Sequence, residues 1–309
     1  MTEVVRESAK YTRPYLKEDG LSYYIDAIGN EGVSEVLACL TLDEWSALDS
    51  KVKDVFDKKP SLLKDWLTNY DRVNIPNAID KIRWKFEVPD GNGGYKSDQL
   101  PLPVVYYGVK LSGRRKDFTL FEIVTEKVIK DTEKVFFYGI EDIPVPLYGM
   151  FNARRRAIQR FKRPFFNDEE RNLTKADEDI WTVDIFIDEL ITLRNELRDG
   201  NKLLDSPYIM YLSTKWNVFF DSIVEKIKTS DLKDFIDEVR LADSIEDDNF
   251  AIINLEEAFQ TVVGLVPTAF QIKPEADDPN DGMFDFRVAS IIIPRFKTNE
   301  KVTVIHGVY

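Results

Sequence analysis

Between residues 82 and 111 the chain changes period, and that change constrains the fold more than any other feature. Ile82, Trp84, Phe86 and Val88 alternate with Arg83, Lys85 and Glu87, the pattern of a strand with one apolar and one charged face. Pro89-Asp90-Gly91-Asn92-Gly93-Gly94 follows as a strong turn signal. A second extended run, Val104 to Leu111, comes after Pro101 and Pro103. The two runs together predict a long two-stranded arm with a loose tip, carrying Trp84, Phe86 and Tyr107. A hairpin of that length is marginal alone in water. Its apolar face therefore needs a surface, either its own domain or an adjacent subunit.

Elsewhere the helical period dominates. Residues 1–40 are polar and mixed, broken by Pro14, Gly20, Gly29 and Gly32, and predict an extended arm with one short helix around Val33–Leu40. Thr41 with Glu44 three residues on has the form of a capping box. Trp45, Leu48, Val52, Val55 and Phe56 then recur at helical spacing until Pro60. Leu62, Leu63, Trp66, Leu67 and Tyr70 suggest a further turn or two. A longer helix is predicted from Asp117, through Phe121, Val124, Val128 and Val135, closed by Gly139. Further helices are expected over 182–198, over 216–227, and from Asp231 through Val239. Strands are expected at 208–212, 251–255, 261–266, 269–272 and 283–293, the last after an acidic loop.

Composition narrows the chemistry. The chain has 309 residues, a formal charge of -13, one cysteine and one histidine. The length suits one large or two modest domains, and no run reaches the roughly 18 apolar residues of a membrane helix. The first residues lack a signal peptide's apolar core. Cys39 cannot form an internal disulfide and, among Val36, Leu37 and Leu40, reads as a buried small side chain. His306 alone would have to serve every histidine-based metal site or triad. Gly91-Asn92-Gly93-Gly94 lies between two strand-like runs, the wrong place for a phosphate-binding loop. Carboxylate pairs such as Asp247-Asp248 and Asp277-Asp278 fall in polar loops. No enzymatic constellation, metal site or cofactor site is visible, so none is expected.

Three stretches carry a family resemblance. They are Leu40-Thr41-Leu42-Asp43-Glu44-Trp45-Ser46-Ala47-Leu48-Asp49; Leu100 to Tyr107 with Thr132 to Gly139; and Phe284 to Arg295 running into Ile305-His306-Gly307. Together, from about Thr41 onward, they resemble the Hong Kong 97-type major capsid protein of tailed viruses, in the branch close to encapsulins (linocin-like shell proteins). The resemblance implies an α+β coat fold. Its implied parts are an N-terminal arm with amphipathic helices (1–73), an extended β-hairpin loop (74–115) and a peripheral domain with a spine helix and basic loop (116–205). An axial domain (206–275) and closing peripheral strands (276–309) complete it. Residues 112–117 are shorter than the viral pattern.

The implied function is mechanical. Copies tile an icosahedral shell as hexamers and pentamers, with Trp45, Leu48 and Val52 of the arm helix and Trp84, Phe86 and Tyr107 of the loop as inter-subunit contacts. The leading expectation is the head of a tailed bacterial or archaeal virus, assembled in the host cytoplasm and enclosing dsDNA without sequence preference. Portal, scaffold or decoration proteins are the implied partners, with no membrane. No domain precedes the arm, so a fused, cleaved scaffolding segment is not expected. The alternatives are an encapsulin-like compartment holding cargo enzymes, and a soluble enzyme or binding domain with no shell role. Arg154, Arg155, Arg156, Arg160, Lys162 and Arg163 stand out in an acidic chain. They read as a solvated basic helix, as partners for acidic segments such as 168–170 or 177–179, or as a genome-facing surface.

Overall fold

In a computed structural model the described residues are 4–5, 11–12, 15–16, 22–24, 34–36, 40, 42–58, 62–67, 71–72, 83–89, 95–101, 104–112, 116–141, 146–160, 183–246, 249–272, 283–297 and 300–308. The chain divides into two compact units. One comprises Met1–Thr132 with Thr261–Ile293, the other Glu133–Gln260 with Pro294–Tyr309. The helices are α1 (Leu42–Lys58), α2 (Leu63–Trp66), α3 (Thr119–Tyr138), α4 (Val183–Asp199) and α5 (Phe220–Thr229).

The first unit is built on a sheet ordered Tyr11–Thr12, Phe259–Ile272, Met283–Phe296, Val105–Ser112, with Asp71–Arg72 also pairing to Phe259–Ile272. Val105–Ser112 runs antiparallel to Met283–Phe296, with Val109 opposite Phe286 and Tyr107 opposite Val288. Alternation sets its faces: Val109 and Leu111 are buried, while Lys110 between them is exposed. The apolar stripe of α1 covers this sheet. Trp45, Leu48 and Val52 join Val109, Leu111, Phe121, Val128, Phe286 and Val288 in one cluster. The Trp45 and Phe121 rings lie 5.7 and 5.6 Å from that of Phe286.

Here the expected hairpin is corrected. Arg83–Pro89 pairs antiparallel with Tyr95–Pro101, from Pro89 opposite Tyr95 to Arg83 opposite Pro101. Val105–Ser112, the run taken as its returning strand, belongs to the body sheet instead. Around Val33–Leu40 the expected helix is a strand, Ser34–Val36, paired with Ser22–Tyr24. β-branched Val36 suits that state.

The second unit carries a five-stranded sheet in the order Arg156–Arg160, Val304–Val308, Phe250–Ile253, Tyr208–Ser213, Ile236–Ala242. Four strands run the same way, and Phe250–Ile253 alone runs against them. α4 packs through Phe186, whose ring lies 4.6 Å from Trp216 and 5.5 Å from Phe250. The helix expected from Asp231 is a 3-10 turn, Asp231–Asp234, capped by the Ser230 hydroxyl accepting from the Leu232 amide. The edge strand Ile236–Ala242 follows it. Periodicity over so short a stretch does not separate a turn plus a strand from a helix.

α3 has the expected bounds. The Asp117 carboxylate accepts the Thr119 amide hydrogen at 3.0 Å, and Gly139 closes the helix at φ +70°. That conformation suits a residue without a Cβ. A Cβ at Gly139 would also run into the Leu147 carbonyl and the Gly149 nitrogen.

Candidate assembly surfaces

α1 is amphipathic, as its spacing requires, but its apolar side chains are already used. Trp45 is 5%, Leu48 0% and Val52 3% exposed in the isolated chain. They bury against the sheet of their own unit, so within one chain these side chains are already covered. An amphipathic stripe says that a face is buried; it does not say by which molecule. Glu44 pairs with Lys116 at 2.6 Å and Lys51 with Glu122 at 3.0 Å, tying the helix to the same unit. The outward side chains are polar or small, including Asp43, Ser46, Lys53, Asp54 and Asp57.

Trp84 and Phe86 lie in the backbone-described strand Arg83–Pro89; their side chains lie outside the described residues. Tyr107 is corrected from loop to body. It is half-buried, its hydroxyl donates to the Asp131 carboxylate on α3, and the Lys127 ammonium sits 4.2 Å from its ring centre. The hydrogen bond to Asp131, then burial, pushes its pKa up to about 12. Tyr107 thus anchors α3 to the sheet.

The basic run forms an edge strand where a helix was one expectation. Among the described residues Arg156–Arg160 pairs on one side only, with Val304–Val308. Ahead of it Arg155 sits at φ +58°, a conformation uncommon outside glycine. Thr303 holds this turn. Its amide and hydroxyl both donate to the Arg155 carbonyl, at 2.8 and 2.9 Å. Arg154, Arg155 and Arg160 are exposed, whereas Arg156 turns one Nη to the Phe151 carbonyl at 2.6 Å. Lys162 and Arg163 lie outside the described residues.

The opposite edge of the same sheet was missed because it read as helix. In Ile236–Ala242 the register jumps, with Tyr208 opposite Ile236 but Ile209 opposite Glu238, so Asp237 is the extra residue of a bulge. A bulge re-aims side chains, and here Asp237 and Glu238 are exposed in succession. Glu238 takes Arg240 at 2.7 Å. Burial, then the neighbouring Asp237 charge, raises the Glu238 carboxyl pKa.

His306 sits inside this sheet at 4% exposure, its ring edge-on to Phe151 at 5.3 Å, with neither nitrogen hydrogen-bonded among the described residues. Burial, reinforced by Arg156, pulls its pKa down to about 4. The imidazole is therefore a neutral packing group at pH 7. A cavity of about 260 Å³ beside α4 is lined by Arg194, Arg198, Asp205, Ser206, Asp234 and Phe235 among others. Among the described residues no cluster of three histidine, cysteine or carboxylate side chains could hold a metal.

No protein-family model and no curated protein sequence matches the chain. Among solved structures it is similar to a virus-like particle from Pyrococcus furiosus, at 17% identity over 86% of this chain and 100% of that one, with a TM-score of 0.54. It also aligns with the capsid of Myoviridae phage XM1, at 10% identity over 71% of this chain and 79% of that one, TM-score 0.46. The SrpI encapsulin complex from Synechococcus elongatus aligns at 12% identity over 80% and 87% of the two chains, TM-score 0.45. A body sheet closed by Met283–Phe296, a long helix ended by Gly139, a separate five-stranded unit and a full-length match to a virus-like-particle subunit agree: the chain has the α+β Hong Kong 97-type coat fold.

Proposed function

We propose that the protein is a structural shell subunit, and specifically the major capsid protein of a tailed bacterial or archaeal virus, self-assembling around dsDNA. The observation that carries this reading is the fold, which spans the whole length of a virus-like-particle subunit. Exposed arginines at a sheet edge support a lattice made or filled through charge. Since α1 spends its apolar face on its own unit, the hairpin Arg83–Pro89 with Tyr95–Pro101 and the sheet edges must supply the adhesion. Shell interfaces of more than ~2,000 Å² in total hold a lattice although each contact is weak.

Negative-stain microscopy of the full chain, purified at high concentration, tests the shell role. Uniform hollow particles are expected, and a protein that stays a monomer or small oligomer at every concentration refutes it. The contents test the finer reading. Nuclease-protected DNA marks a viral head, whereas a co-purifying enzyme cargo without DNA marks an encapsulin-like compartment.

A further inference from the structure

The five-stranded sheet of the second unit is charge-polarised from one edge to the other. At one edge, residues 154–160 carry Arg154, Arg155, Arg156 and Arg160 and no acid. At the other, residues 231–243 carry Asp231, Asp234, Asp237, Glu238 and Asp243 against Lys233 and Arg240, a net charge of -3. Arg154, Arg155, Arg160, Asp237 and Asp243 are exposed and make no ion pair among the described residues. Five strands at about 4.8 Å spacing put the edges roughly 19 Å apart. That is about twice the ~8 Å screening length in physiological salt, so the edges do not neutralise each other within one molecule.

Both edges are built features. On the basic side the left-handed Arg155 is pinned by Thr303, and a non-glycine residue persists there only when its surroundings over-determine it. On the acidic side the bulge exposes Asp237. The two edge strands also run in the same direction. Rotation about an axis along the strands therefore sets the acidic edge of one copy beside the basic edge of the next, strands parallel. A two-fold contact through either edge would instead oppose like charges, because isologous interfaces are self-complementary.

We infer that the occupant of each edge is a second copy of this chain, the Arg154–Arg160 edge docking head-to-tail on the Asp237–Asp243 edge of the next subunit around a closed ring. This deepens the shell reading and rests on it. The lattice then has a directional contact that charge sets, and two-fold pairing through this sheet is disfavoured.

The test uses three variants of the full chain, each checked by thermal melting for a wild-type fold. R154E/R155E makes the basic edge acidic, D237K/D243K makes the acidic edge basic, and the four-fold variant does both. Each double variant should need at least ~10-fold more protein than wild type to form particles at physiological salt. The four-fold variant, with both edges reversed and again complementary, should assemble near the wild-type concentration. If wild type assembles and either double variant assembles equally well, or the four-fold variant is not rescued, the edges are not in contact. The arginines then serve genome or a local acidic segment, and the shell reading stands. If wild type itself never forms particles, the shell reading falls and this contact with it.

Discussion

Replacing His306 by phenylalanine removes the one histidine while keeping an aromatic ring beside Phe151. The native imidazole titrates at about 4 against an ordinary 6.5, because it is buried and Arg156 lies near it. Its folded form is thus neutral, and the unfolded chain takes up a proton first as pH falls. Stability is complete above pH 6.5 and declines toward pH 4, below which both states are protonated and no more is lost. A separation of 2.5 pH units corresponds to about 3 kcal/mol in full, of which about 2 kcal/mol is lost between pH 8 and pH 5. Carboxylates also titrate near the lower limit, so the informative quantity is the difference between the two proteins. Urea unfolding below the assembly concentration, followed by intrinsic tryptophan fluorescence, should show wild type losing about 2 kcal/mol more than His306→Phe over that range. Equal losses would mean that His306 is solvated or paired in the native protein, and the assignment of a dry imidazole would fail.

Leu48→Ala should destabilise the first unit by about 2–5 kcal/mol, since Leu48 is fully buried in the cluster under α1. An unchanged melting temperature would show that α1 leaves its own sheet and packs elsewhere. Gly139→Ala should cost about 2 kcal/mol or more, from the positive φ and the collision with the Leu147 carbonyl. Wild-type denaturation of that variant would rule out the tight closure of α3. Tyr107→Phe should cost about 1 kcal/mol by deleting the hydrogen bond to Asp131. Alkaline ultraviolet titration should at the same time lose a tyrosine titrating near 12.

Helices were legible wherever a stripe was long. α1, α3 and α4 followed from the recurrence of Trp45, Leu48 and Val52, of Phe121 and Val128, and of Phe186 and Leu190. Pairing was less legible, because strand partners are chosen in space. Tyr95-Lys96-Ser97-Asp98-Gln99 has no apolar alternation, so the true partner of Arg83–Pro89 was hidden and the better-patterned Val104 to Leu111 took its place. The acidic edge was hidden for a different reason, since Leu232, Phe235, Ile236 and Val239 imitate a helical stripe across a turn and a bulge. Of the candidate site, the arginines were visible in one dimension. Their acidic counterpart is visible only once the sheet order is known.

One strand of the second unit has a temporal consequence. Val304–Val308 lies in the interior of the sheet, joining Arg156–Arg160 to Phe250–Ile253. Among the described residues the edge strand Arg156–Arg160 has no other neighbour in that sheet, although well over a hundred residues of chain separate the two. Closing so long a loop is slow relative to local folding. Until Val304–Val308 has been made, the arginine strand lacks the partner that holds it in this sheet. The strand that builds this edge is thus made early and takes its place in the sheet late, only after residues 304–308 exist to receive it.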